Sequence, residues 1–419
     1  MTDLTVLQDR NLIRSTYTSS RFLRVEIAGP PSRAETRRPP ASLAFVIDRS
    51  GSMGGEKIAL AKEAVLAAID RLASGDRFAV VAYDDRIDVL IPSTVATPAS
   101  RAAARDAVTR LDARGSTNLG EGWLRGCQQV ADSLVEDGVN RVLLLTDGLA
   151  NQGIVSTDEL AGHAAELRRR GVATTTFGVG EDFDDGLLRA MADAGGGHFR
   201  YIENAKQILD HIAGEVGELL EVTARDVVLE ITGSAKISVE PLSPYPVEGH
   251  GERRRIRVGD LVADQVIEIL LRLRFPYGRT GSEIGVLVSV RSADGSIEAG
   301  ETVRWAYADD PENDRQPRDR RVDRPVARTF AARARTRAVE LNRMGDYQQA
   351  RDALLSVARR VAKYAGSDLE LNDIVAGLRS DAEMWAIRQD ERSRKLSQAA
   401  SYYELKSRAP MGEARRRSR

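Results

Sequence analysis

Two short strand-like runs, each closed by an aspartate, constrain this 419-residue chain more than any other feature. Leu43-Ala44-Phe45-Val46-Ile47 leads into Asp48, and Val142-Leu143-Leu144-Leu145-Thr146 leads into Asp147. Strands that are apolar on both faces belong in a parallel sheet covered by helices on each side. In such open sheets ligands gather beyond the carboxyl ends of the strands, where the strand order reverses. If the two strands are neighbours at that point, both carboxylates project into one crevice. Ser50 and Ser52 follow Asp48, and Thr117 lies in a later polar loop, so the crevice would offer oxygen donors to a hard cation. Magnesium suits that donor set, with manganese as an alternative. Two carboxylates and neutral hydroxyls roughly cancel a divalent charge, and the ion keeps waters that an incoming anion can displace. A carboxylate from another molecule is the expected guest.

Rival readings of the glycine-rich stretch fail on spacing. A calcium-binding helix-loop-helix counted from Asp48 needs Gly at position 53 and Glu at position 59, where Met53 and Ala59 stand. A phosphate-binding loop started at Gly51 needs Gly directly before Lys57, where Glu56 stands. A phosphatase of the haloacid dehalogenase type needs a second aspartate where Ser50 sits, which leaves it without its general acid. A metal-dependent hydrolase or phosphotransferase using Asp48 as nucleophile is the alternative carried forward. It lacks a positioned base, acid or phosphate-clamping lysine in the loop.

The segments Asp48-Arg49-Ser50-Gly51-Ser52-Met53, Gly115-Ser116-Thr117-Asn118-Leu119 and Leu145-Thr146-Asp147-Gly148 resemble the von Willebrand factor A domains, whose metal-ion-dependent adhesion site carries Asp-x-Ser-x-Ser with a later Thr and Asp. The likeness continues through Ser74-Gly75-Asp76-Arg77-Phe78 and Thr176-Phe177-Gly178-Val179-Gly180. It implies Asp48, Ser50, Ser52, Thr117 and Asp147 as metal ligands, some through water, and a Rossmann-like sheet of six mostly parallel strands. The close backbone approach such a site needs accounts for glycines 51, 54, 55, 115 and 148.

A net charge of −1 gives no global attraction to nucleic acid or to an anionic membrane, so neither is expected as a partner. One cysteine, Cys127, forbids an internal disulfide, and the N-terminal residues lack the basic start and apolar core of a signal peptide. No apolar run reaches the roughly 20 residues of a membrane helix. A cytoplasmic location is expected, and the preference for Ala and for Arg over Lys points to a GC-rich bacterial genome.

From residue 41 to about 215, apolar runs alternate with helical patterns, the rhythm of a doubly wound α/β domain. Residues 221–308 change to short strands separated by turns, an antiparallel β-sandwich with a hairpin turn at Ala293-Asp294-Gly295-Ser296. Leu23-Arg24-Val25-Glu26-Ile27 alternates apolar with charged, so residues 14–36 are expected to supply a sandwich strand. The α/β domain is then inserted in the sandwich, as the resemblance to bacterial proteins built like the inter-alpha-trypsin inhibitor heavy chains also implies. Residues 309–325, crowded with charge and bearing three prolines, read as a linker. Residues 326–406 read as a helical hairpin or bundle with a junction at Gly345-Asp346, and residues 407–419 as a mobile basic tail.

His163, His198, His211 and His250 match no ligand spacing and are read as ordinary core or surface residues. Cys127 reads as a small buried hydrophobe. Met53 is either an exposed apolar contact beside the ion or a packing residue. The expected function is non-catalytic: a magnesium-dependent protein-protein interaction module, serving as scaffold or adaptor, in which an Asp or Glu of an unknown protein partner completes the metal's coordination.

Overall fold

A computed structural model describes residues 4–32 and 38–417 of the chain. Their contacts form two compact units, one holding the residues up to Ser32 and those from Thr223 onward, the other the residues between. The chain opens with β1 (Leu4–Gln8), β2 (Leu12–Arg14) and β3 (Ser19–Ala28), all belonging to the first unit.

The inserted unit runs β4 (Ala41–Asp48), α1 (Glu56–Asp70), β5 (Arg77–Tyr83), β6 (Ile87–Val95), α2 (Pro98–Thr109), α3 (Leu119–Ala131), β7 (Val139–Thr146), α4 (Thr157–Arg169), β8 (Ala173–Val179), α5 (Asp185–Gly195), β9 (Gly196–Ile202) and α6 (Ile208–Leu219). Its sheet has the order β6-β5-β4-β7-β8-β9, parallel except for the antiparallel edge strand β6. Every residue of β4 is buried, the consequence of apolar side chains on both faces with helices above and below. The chain leaves β4 toward β5 and β6, then returns to β7 on β4's other side, so the order reverses between β4 and β7. The expected neighbourhood of the two aspartate-ended strands is thus met. Helix α3 lies very close to β4 because Gly126 carries no side chain: a Cβ there would stand 2.2 Å from Val46 Cγ2. Cys127, the next residue, is buried, and burial pushes its thiol pKa up.

The other unit continues with β10 (Val222–Gly233), β11 (Ser238–Pro241), β12 (Val247–Glu248), β13 (Arg253–Val262), β14 (Val266–Phe275), β15 (Glu283–Arg291) and β16 (Glu298–Ala308). Two sheets form, in the orders β1-β3-β14-β11 and β12-β13-β10-β15-β16-β2. The alternating strand Leu23–Ile27 lies within β3, between β1 and β14, and Leu23, Val25 and Ile27 enter a core with Leu229, Ile269 and Trp305. β15 and β16 form the hairpin around Ala293–Ser296, with Arg291 opposite Glu298. Helices α7 (Asp310–Arg315), α8 (Arg320–Arg343), α9 (Tyr347–Ala365), α10 (Leu369–Trp385) and α11 (Glu391–Leu405) follow, and α8 to α10 share a core that includes Leu354, Leu378 and Trp385.

Two expectations need correction. Residues 309–325 are not a free linker: α7 and the first six residues of α8 occupy the stretch, and Val322 is buried. Charge density misled there because the charges are paired, Arg14 with Asp310 at 2.7 Å and Arg318 with buried Asp323 at 2.8 Å. Nor are residues 407–417 loose. The Val266 amide donates to the Arg415 carbonyl at 2.8 Å and the Arg417 amide to the Asp264 carbonyl at 2.9 Å, which ties the basic segment beside the start of β14. Residues 418 and 419 lie outside the described residues, as do 33–36 of the expected N-terminal segment.

Candidate metal centre

Asp48 closes β4, and Asp147 directly follows β7, so adjacent parallel strands deliver two wholly buried carboxylates to the same end of the sheet. The backbone after Asp48 turns sharply: the Ser50 amide donates to Asp48 Oδ1 at 2.8 Å, and a single 3-10 turn covers Gly51–Met53. That turn faces Ser50 and Ser52 toward each other, with their hydroxyls 3.1 Å apart, and Ser52 Oγ donates to Asp147 Oδ1 at 2.7 Å. Thr146 Oγ1 donates to Asp48 Oδ2 at 2.6 Å. Met53 is fully buried, so it packs and presents nothing to a ligand.

Thr117 arrives on the loop before α3, and a clamp of charges holds that loop. Buried Asp84, just past β5, pairs with Arg49 Nε at 3.0 Å and with Arg114 Nε at 2.7 Å. Main-chain bonds from the Arg114 amide to the Arg49 carbonyl at 2.7 Å and from the Gly51 amide to the Gly115 carbonyl at 3.1 Å stitch the two loops together. Burial pushes the Asp84 pKa up, but hydrogen bonds from Arg114, the Arg86 amide and Arg49 outweigh it and hold the carboxyl below its ordinary value. Glycine is favoured at position 115, where φ is 68° and a Cβ would stand 2.2 Å from Asp85 Oδ1. The outcome is visible at Gly148, where a Cβ would lie 3.4 Å from Thr117 Oγ1 and 3.7 Å from Ser52 Oγ. All five residues singled out in the sequence therefore converge beyond the carboxyl ends of β4 and β7.

The electrostatics fit a cation. Burial raises the Asp48 pKa, hydrogen bonds from Thr146 and Ser50 oppose the rise, and the neighbouring Asp147 charge adds to it. Two buried acids that repel each other, with serine and threonine hydroxyls between, form an oxygen-only donor set suited to magnesium or manganese. Lys57, from the first turn of α1, hydrogen-bonds Asp147 Oδ2 and lies 3.4 Å from the Ser52 carbonyl. This lysine went unrecognised in the sequence, where its spacing spoke only against a phosphate loop; nothing in the pattern says that the turn brings it onto Asp147.

A second acidic group stands among the described residues. His198 of β9 and Glu215 and Glu218 of α6 bring ligand atoms within 4.8 Å of one another. Arg200 already bridges the two carboxylates, 2.8 Å from Glu215 and 3.3 Å from Glu218, and Arg141 lies 3.4 Å from Glu215. Thr175 and His198 each contact Glu215 Oε1 at 2.9 Å. A metal would have to displace a buried guanidinium, so this group is an ion-pair network. His198, read from sequence as an ordinary residue, is part of that network.

Comparisons with known proteins agree with the fold. The von Willebrand factor type A domain model matches residues 42–214. Protein sll0103 of Synechocystis is 31% identical over 69% of this chain and 70% of its own length. The inter-alpha-trypsin inhibitor heavy chain H1 of Mesocricetus auratus is 27% identical over 56% of this chain but only 29% of its own. The chain thus spans less than a third of that heavy chain. Among solved structures, a von Willebrand factor type A protein from Catenulispora acidiphila covers 97% of both chains with a TM-score of 0.74 at 22% identity, a likeness of fold. Among the described residues no helix is long and apolar enough to cross a membrane. On the motif, the sheet order and these matches together, the chain belongs to the von Willebrand factor A domain family.

Proposed function

We propose that the protein is a magnesium-dependent protein-binding module, in which an aspartate or glutamate of a protein partner completes the coordination of an ion held by Asp48, Ser50, Ser52, Thr117 and Asp147. The observation that carries this reading is the meeting of two buried like-charged carboxylates with hydroxyl groups at the point where the strand order reverses. In this role Asp48 and Asp147 bind the cation, Ser50 and Ser52 bridge them, and the Asp84 clamp positions Thr117. The bound ion supplies a Lewis-acidic position with exchangeable water, open to an outside carboxylate. Leu149 and Val155, exposed on the loop after Asp147, offer apolar contacts to the partner. A cytoplasmic scaffold or adaptor is the setting we favour, since the single cysteine is buried and leaves no disulfide to maintain.

Lys57 gives the hydrolytic alternative a cation that the sequence did not promise. Against it, both Asp48 oxygens already accept hydrogen bonds in a buried position, an arrangement poor for nucleophilic attack. A phosphatase assay with magnesium separates the two readings. Calorimetry of magnesium binding tests the leading one: Asp48→Ala is expected to weaken binding by about 100-fold, at least the loss seen when a metal site's supporting groups are removed. Undiminished affinity in the variant would sink the assignment.

A further inference from the structure

Counting charge around the crevice with Lys57 included changes what the site can do. Asp48 and Asp147 carry −2 together, and the Lys57 ammonium on Asp147 brings the metal-free crevice to −1. A divalent ion then takes it to +1, whereas the two carboxylates alone would have left it neutral. The geometry makes the lysine a fixture of the site. Asp147 is fully buried, one of its oxygens takes the Ser52 hydroxyl and the other the ammonium, while the Lys57 side chain stays 30% exposed and enters from the solvent side. Its second contact, at 3.4 Å to the Ser52 carbonyl, ties it to the turn that presents Ser50 and Ser52.

We infer that Lys57 is a specificity-determining residue that makes metal retention depend on an anionic ligand. Sharing Asp147 with the ion, the ammonium weakens metal binding when no ligand is present. It also leaves the loaded crevice with a positive charge that a carboxylate neutralises, so metal and carboxylate each favour the other's binding. The inference rests on the metal-binding reading above and adds the source of its selectivity for an acidic partner.

The test uses the full chain with Mn2+ followed by electron paramagnetic resonance, in sodium chloride and in sodium acetate of equal ionic strength. Wild type is expected to bind Mn2+ more tightly in acetate than in chloride. Lys57→Met should bind Mn2+ about tenfold more tightly than wild type in chloride, the order expected when one unit charge near a divalent ion is removed from a half-exposed site. It should gain little from acetate, while Lys57→Arg keeps the wild-type pattern. Circular dichroism of each variant establishes that it is folded, and Lys57→Gln serves if the methionine variant is not. Equal or weaker Mn2+ binding by the neutral variant, or an acetate effect that survives in it, overturns the inference and leaves the metal site standing. A wild type that binds no Mn2+ overturns both.

Discussion

One sheet carries two buried acidic clusters, and they are built on opposite principles. Beyond the carboxyl ends of β4 and β7, Asp48 and Asp147 repel each other, and the Lys57 ammonium pairs with Asp147. Toward the amino-terminal ends of β7, β8 and β9, Glu215 meets two guanidiniums, an imidazole and a hydroxyl. Burial raises the pKa of Asp48; at Glu215 burial also pushes upward, but His198 and Arg200 overcome it and hold the carboxyl well below its ordinary value. Burying an acid therefore does not make a site. The balance of charge around it decides whether the group awaits a cation or has already been given one.

The contrast can be broken most forcefully at Glu215. Glu215→Ala takes from Arg141 and Arg200 the buried carboxylate they share, and removing one partner of a buried ion pair costs about 3–5 kcal/mol. Urea unfolding should register that loss, while the magnesium affinity of the folded fraction stays at the wild-type value. A loss of magnesium binding at full stability would mean that the two clusters had been assigned the wrong way round. The same residue fixes an acid dependence. A carboxyl whose folded pKa lies below its unfolded value contributes stability above about 4.5, and that contribution vanishes as the pH falls through the folded value. Wild type should accordingly lose stability below pH 4.5 more steeply than Glu215→Gln, and parallel acid limbs would contradict the assignment.

Smaller effects sharpen the other side. Thr117→Ala should weaken magnesium binding roughly tenfold yet cost about 1 kcal/mol in unfolding, the ordinary loss for a small buried side chain. A pull-down with wild type, the variant and wild type plus EDTA extends the test to partners. Least of all, Leu149→Ala should leave magnesium affinity alone and reduce the binding of any EDTA-sensitive partner by about 1 kcal/mol, measurable by surface plasmon resonance. If it alters the metal affinity instead, the loop after Asp147 belongs to the coordination and not to the contact surface.

The two clusters also differ in how far the sequence disclosed them. Asp48, Ser50 and Ser52 are local, and Asp147 repeats the same strand-then-acid pattern, so periodicity and position were enough to bring them together. Lys57 escaped because its reach depends on the tightness of one turn. The Glu215 network escaped because its members come from three strands and a helix, with no common spacing. Elsewhere β3 was legible from its strict alternation, whereas Arg253-Arg254-Arg255 concealed the start of β13. The ordered stretch from α7 into α8 was hidden for a similar reason: composition records charges, and only the folded chain pairs them.

The buried cysteine turns this domain into its own clock. Cys127 is the only thiol, it lies on α3 next to the glycine that presses this helix onto β4, and α3 begins two residues after Thr117. A thiol reagent can reach it only in molecules whose helix has lifted from the sheet, so the labelling rate reports how often the interior opens. Since anything that binds the closed form alone makes opening rarer, occupancy of the crevice becomes readable as slowed chemistry at an atom that never touches the ligand.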